Sequence, residues 1–240
     1  MHELPANHYP IALIGSTQLL QEAEEFLTLK GYKIIERFLC DDIFWQQATE
    51  DKLVEEGGLS VPLWKANPLL TEIITQVEEH VSGRTAVDLA CGAGRDSVYL
   101  AQRGWQVTSI DNKSDTLERC KQLAHSNQVD VDTRLINLET EEKPLCNLSA
   151  DLVLIMRYLH RPLFPAINKL IKTKGAIIYS TFMVGSEQYG SPRNPNYLLK
   201  PGELADIFAS YDVLIDEQRE LADGRPVALF VAIKPSEPEI

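Results

Sequence analysis

At 240 residues the chain is long enough to bury one large core, or one core plus a small accessory unit, without metal or disulfide staples. Its 35 acidic side chains outnumber 23 basic ones, leaving a formal charge of -12; that field repels polyanions, and no segment carries a basic face, so nucleic acid is not an expected partner. Four scattered cysteines, Cys40, Cys91, Cys120 and Cys146, lack the paired spacing of a zinc site or a secreted disulfide framework. No metal site is expected, and a reducing cytoplasm is the expected location.

The first residues, "MHELPANHYPIALIG", lack a basic region followed by a long apolar core. No apolar run approaches the roughly 18 to 20 residues that span a bilayer, so neither a leader nor a membrane anchor is expected. "IALIG" reads as a strand, "QLLQEAEEFLTLKG" as a helix with Leu19, Leu20, Ala23, Phe26 and Leu27 on one face, and "YKIIERFL" as a returning strand, together a small βαβ unit. The acidic stretch that follows ends at Gly57-Gly58. A boundary near Gly58 therefore separates an N-terminal α/β unit, 1–58, from a larger domain, 59–240.

Pro68 opens a helix whose apolar stripe is Leu69, Leu70, Ile73, Ile74 and Val77. From Thr85 strands and helices alternate. Strands are expected at Thr85–Ala90, Gln106–Ile110, Val131–Ile136, Asp151–Met156 and Ala176–Phe182, and helices near Asp96–Gln102, Ser114–His125 and Leu163–Ile171. Runs such as "DLVLIM" and "GAIIYSTF" are continuously apolar, as strands covered on both faces are. After a helix in "PGELADIFASY", two strand-like runs, "DVLIDEQREL" and "VALFVAIKP", flank a turn at Asp223-Gly224. The expected fold is α/β: a doubly wound, mostly parallel seven-stranded sheet that ends in an antiparallel hairpin.

The segment "AVDLACGAGRDSVYLAQRGWQVTSID" poses the functional question. Gly92 and Gly94 occupy the first two positions of a dinucleotide-type glycine turn, but the third is Ser97. That third glycine permits tight packing beneath a pyrophosphate. A ligand without a diphosphate does not require it. Asp88, at the end of the first strand, would repel phosphate and welcome an ammonium group. Asp111 closes the second strand at the spacing of a ribose reader. Ribose, a positive charge and no phosphate describe S-adenosylmethionine.

With the closing hairpin, residues Thr85 to Pro235 resemble a class I S-adenosylmethionine-dependent methyltransferase, "DLACGAG" matching the form D-x-x-C-G-x-G. Within that class, "CGAGRDSVYLAQRGWQVTSID", "YLHRPLFP" and "YLLKPGEL" resemble bacterial tellurite-resistance-like methyltransferases. The resemblance implies that Asp88, Gly92 and Gly94 hold the methionine moiety, with Arg95 near its carboxylate and Asp111 on the ribose. Asn137 and Leu138 would flank adenine, Asn137 standing where the family has aspartate. Ala90, Cys91, Asn112 and Met156 complete the implied cofactor pocket.

The acceptor belongs beyond the carboxyl ends of the strands. There the sequence supplies Arg157, Tyr158, His160 and Arg161, and Arg193 in the long loop from Met183 to Lys200, a candidate lid. These cations in an acidic chain suit a small anionic or polar acceptor. His160, Arg161 and Tyr158 are the candidate catalytic residues, His160 orienting the acceptor or taking its proton; the competing reading has His160 and Arg161 capping the next helix and pairing with acids. No N-P-P-Y sequence follows the fourth strand, which argues against methylation of a base nitrogen. Trp64 either covers this pocket or packs. Transfer of an aminopropyl group, and non-catalytic cofactor binding, are the alternatives in function.

Proteins with this resemblance often carry a rhodanese-like module in front, which directs attention to Cys40. A persulfide-forming thiol needs backbone amides and basic groups around it. "CDDIFW" offers two carboxylates instead, so Cys40 reads as structural and the first 58 residues as an interaction or packing unit.

Overall fold

A computed structural model describes residues 7–54 and 64–236. The chain divides into two compact units, Met1–Trp64 and Lys65–Ile240. The boundary expected near Gly58 lies outside the described residues, and Trp64 falls at the end of the first unit.

In the first unit, β1 (Pro10–Gly15) and β2 (Lys33–Leu39) pair in parallel across α1 (Thr17–Leu29). Ser16 caps α1, its hydroxyl accepting from the Leu19 amide at 3.5 Å. A second helix, α2 (Asp42–Glu50), occupies the acidic stretch after β2, to which the sequence reading assigned no element. Its signal is Asp41, whose carboxylate accepts from the Phe44 amide at 2.8 Å and satisfies one of the free first-turn donors. Packing is sparse. Leu27 and Ala48 are buried, whereas Leu29, Ile43 and Leu53 lie in the open.

The second unit begins with α3 (Pro68–His80), capped by the Asn67 side chain. Strands β3 (Thr85–Leu89), β4 (Gln106–Asp111), β5 (Asp132–Leu135), β6 (Ala150–Met156) and β7 (Ile171–Phe182) alternate with α4 (Arg95–Gln102), α5 (Ser114–Ser126) and α6 (Phe164–Leu170). A five-residue helix, α7 (Glu203–Ile207), precedes β8 (Asp212–Glu220) and β9 (Pro226–Ile233). The sheet runs β5-β4-β3-β6-β7-β9-β8. Strands β3 to β7 are parallel, and β9 lies antiparallel between β7 and β8. The seven-stranded α/β architecture is as expected, with the hairpin's second strand inserted inside its first.

Period-two alternation explains the continuous apolar runs. On β6, Val153 and Ile155 join the core beneath α6, with Phe164, Ile167 and Phe208. Leu152 and Leu154 join the opposite core beneath α3, with Leu70, Ile74 and Val77. Both sheet faces are therefore dry. Boundaries moved where local backbone decides them. The first strand stops at Leu89 because Ala90 turns left-handed at φ +57°, and α7 starts only after Gly202 at φ +75°.

Candidate active site

The turn after β3 is tied to β4 by backbone. The Cys91 amide donates to the Ile110 carbonyl at 3.0 Å, and the Gly92 amide donates to Asp111 Oδ2 at 2.9 Å. Asp111 Oδ1 accepts from the Lys113 amide at 3.1 Å. Two backbone donors thus orient this carboxylate at the end of β4, and each oxygen keeps a lone pair for a hydroxyl.

The two glycines serve different ends. Gly92, at φ +57°, faces open space, with no atom within 4 Å of where a Cβ would stand. Gly94, at φ +75°, faces α5, where a Cβ would meet Cys120 Cβ at 2.8 Å and collide with its sulfur. At Gly94, expected beside the methionine moiety, the side-chain position is filled by helix packing, leaving only its backbone for a ligand. Cys91 is half-buried in the turn itself, its thiol directed to the Gly92 carbonyl at 3.4 Å.

Ser97, standing in place of a third glycine, has its own role. Its hydroxyl donates to Asp88 Oδ2 at 2.6 Å and accepts from Ser109 at 2.7 Å, all three residues being buried. Burial first, and the Asp96 charge second, push the Asp88 carboxyl well above the ordinary aspartate range. Asp96 is raised too, mainly by burial, against the Asn67 amide that donates to it at 2.6 Å and the charges of Arg95 and Arg157. Two buried acids beneath a turn that opens on free space fit a ligand bearing an ammonium group. Asn67 and Asp96 were not singled out from sequence, although the N-cap before Pro68 was a readable signal. Asn67 also donates from its amide nitrogen to the Met156 sulfur at 3.5 Å, so the half-buried Met156 sits where β6 meets the start of α3.

The residues expected to flank adenine lie after β5. Asn137 is half-buried, and its Oδ1 accepts from the Glu139 amide at 3.0 Å in a local turn. One lone pair remains for an amino group. Leu138 is buried in the core beneath α6, because the chain turns inward after β5. Asn112 is exposed beside Asp111.

At the ends of β6 and β7 a cavity of about 330 Å³ opens between Arg157, Tyr158, Thr181 and Phe182, with Pro192 and Tyr197 from the following loop. Arg157 takes a left-handed conformation at φ +60°. Arg157 is exposed; partial desolvation lowers its pKa, as do the nearby Arg95 and Arg225 charges, against the pull of Asp96 and Asp223, which places its guanidinium near the start of α4. The Tyr158 hydroxyl is buried with no hydrogen-bond partner among the described residues, and burial, then the Glu139 charge, keep it a neutral phenol.

The other two candidate catalytic residues are placed differently. Arg161 donates from Nε and Nη2 to Glu203, from Nη1 to the Asn196 carbonyl at 2.9 Å and from Nη2 to the Leu198 carbonyl at 2.9 Å. Its donors are engaged with Glu203 and with the loop from Met183 to Lys200, the arrangement of the alternative in which Arg161 pairs with an acid rather than meeting the acceptor. His160 precedes a single 3₁₀ turn, its ring bonded to no described residue and not lining the cavity. The loop is also fastened by Met183 and Ser186 to the Pro226 carbonyl and by Arg225 to the Ser191 carbonyl. Arg193 is exposed on it. Arg225 and Phe182 were missed from sequence because β7 and the β8–β9 turn meet only after β9 inserts.

A family model described as a methyltransferase domain matches residues 86–175. An uncharacterized protein of Schizosaccharomyces pombe is 25% identical over 285 residues, covering 97% of this chain and 84% of that protein. The ubiquinone biosynthesis O-methyltransferase of Actinobacillus pleuropneumoniae is 27% identical over 135 residues, covering 53% of this chain; the match spans 58% of that enzyme, little more than half its length. Among solved structures, TehB from Haemophilus influenzae shares the fold with a TM-score of 0.58 at 18% identity, over 68% of this chain and 62% of its own. The matched segment runs from β3 through the glycine turn and Asp111 into β7, so residues 86–175 carry a methyltransferase-domain sequence in a unit that shares the fold of TehB.

Proposed function

We propose that this chain transfers the methyl group of S-adenosylmethionine to a small anionic or polar acceptor held at the ends of β6 and β7. The observation that carries the reading is the adjacency of two unlike half-sites. A turn opening on Gly92, flanked by Asp88 and Asp111, stands beside a cavity lined by Arg157 and Tyr158. In this reading Asp88 balances the ammonium, Arg95 the carboxylate, Asp111 the ribose hydroxyls and Asn137 the adenine amino group.

When bound, the donor supplies a methyl group on sulfonium, whose carbon–sulfur bond electrons return to sulfur as an acceptor lone pair closes the new bond in line. The chain's own task is positioning. Asp111 is fixed by two backbone amides, and Arg161 fastens the loop that carries Pro192 and Tyr197. An acceptor whose attacking atom is itself deprotonated has no proton to lose, and for it a strong general base is unnecessary. An aminopropyl acceptor is a polyamine, which the Arg95, Arg157 and Arg225 charges would repel.

Four free thiols favour a reducing, cytoplasmic setting. The first unit is proposed as an interaction or packing module, and deleting it should leave cofactor binding in place. Calorimetry with S-adenosylhomocysteine and with NADH, followed by release of S-adenosylhomocysteine over an acceptor panel, tests the assignment. Heat with NADH alone would reject it.

A further inference from the structure

Asp88 and Ser109 are cross-strand partners in the parallel pair β3–β4, so their side chains leave the sheet on the same face, the one covered by α3 and α4. Their neighbours in that layer are apolar, among them Ala86, Val107, Leu152 and Leu154. Ser97, the third residue of α4, lies over both. It donates to Asp88 Oδ2 at 2.6 Å and accepts from the Ser109 hydroxyl at 2.7 Å. All three residues are buried, the two serines completely. Apolar residues would fill this layer without the desolvation that a carboxyl and two hydroxyls bring, so stability alone does not call for the trio.

The direction of the bonds decides which oxygen is left over. Each serine has one proton; that of Ser109 goes to Ser97, and that of Ser97 goes to Asp88 Oδ2. Asp88 Oδ1 accepts from no described residue. The Tyr158 hydroxyl is the one side-chain polar atom among the described residues that is both sealed and unpartnered, so Oδ1, unpartnered as well, is not sealed. Asp96 on α4, Cys120 on α5 and Asp111 at the end of β4 all oppose a charge on Asp88, and the Ser97 hydroxyl favours it. On its other sides β6 and α3 turn apolar residues to this layer.

We propose that Ser97 and Ser109 are positioning residues for the cofactor's ammonium group: through Asp88 they leave Oδ1 free to receive it and hold the carboxylate charged once it is bound. This rests on the methyltransferase reading. It also gives a reason for serine at the third glycine position, since glycine there would leave Asp88 without its donor.

The test is calorimetry on the full chain with S-adenosylhomocysteine and with 5′-methylthioadenosine, which shares the adenosine and the sulfur but has no amino-acid tail, over roughly pH 5 to 9. Ser97→Ala should weaken S-adenosylhomocysteine about tenfold, the size of one hydrogen bond to a charged group, and leave methylthioadenosine within about twofold. The pH at which S-adenosylhomocysteine affinity levels off should move upward, because the lost bond favoured the charged carboxyl. Ser109→Ala, which removes no contact to Asp88, should act in the same direction by about threefold. A purely structural role would lower the melting temperature and weaken both probes alike, with the pH profile unmoved. The proposal is overturned by that pattern, or if the serine variants leave S-adenosylhomocysteine affinity and its pH profile unchanged; should Ser97→Ala fail to fold, Ser109→Ala decides. If the unsubstituted chain binds neither probe, the methyltransferase reading beneath the proposal falls instead.

Discussion

On the proposed cofactor side of the site the groups are backbone amides and buried oxygens, already bonded to one another: Gly92 to Asp111, Ser97 to Asp88, Asn67 to Asp96. On the proposed acceptor side they are long side chains, and the Arg157 guanidinium and the Tyr158 hydroxyl find no hydrogen-bond partner among the described residues. A pre-bonded half holds one ligand in one geometry, because moving any group breaks a bond that burial makes costly to lose. The other half can change its ligand by changing one or two side chains. Substitutions on the two sides should therefore fail in different ways.

The largest effect is expected at Gly94. Alanine there must adopt a strained left-handed conformation and displace Cys120, so Gly94→Ala should cost roughly 3 kcal/mol in denaturant unfolding. Gly92→Ala has the same backbone strain in open space; it should cost about 1 kcal/mol while weakening cofactor binding. Equal stability losses at the two glycines would erase the distinction between packing and ligand faces.

Next comes Asp111→Ala, which removes the carboxylate proposed to read ribose. Loss of two charge-assisted bonds should lower affinity for S-adenosylhomocysteine by about 100-fold in calorimetry, whereas Arg157→Gln should scarcely alter it. Comparable losses would mean that the cavity and the turn form one binding site.

The buried acids give the comparison a pH dependence. Asp88 and Asp96 are pushed up, first by burial, and a carboxyl whose pKa is higher folded than unfolded favours the fold at low pH. That contribution is lost as pH rises from the ordinary aspartate value near 4 through the raised folded value. Stabilisation by S-adenosylhomocysteine, read as a shift in melting temperature, should therefore grow over the same rise, because its ammonium restores the charged form. Asp88→Asn should flatten the dependence; an unchanged slope would remove Asp88 from the ammonium site.

The smallest effects are expected around the loop. Arg161→Ala should raise the acceptor KM several-fold with cofactor affinity retained, and a double-mutant cycle with Glu203→Gln should show coupling of about 1 kcal/mol. His160→Ala, at a ring that does not line the cavity, should change turnover less than Tyr158→Phe. A larger loss at His160 would return it to the acceptor's side.

The sequence by itself determined the strand and helix alternation from Thr85 onward, the closing hairpin and the pair Asp88 and Asp111 around a glycine turn. These are local properties: hydrophobic period, turn chemistry and spacing along one βαβ unit carry them. The helix at Asp42–Glu50 was equally local, and its capping residue Asp41 was legible but not used. Only the tertiary structure decided that Ser97 bonds Asp88, that Gly94 packs on Cys120, that Leu138 turns into the core and that Arg161 clasps the loop while Arg157 stays free. Each of those outcomes joins residues from different elements, through strand order and insertion of β9 beside β7. Spacing along the chain carries no record of which long side chain will find a partner there.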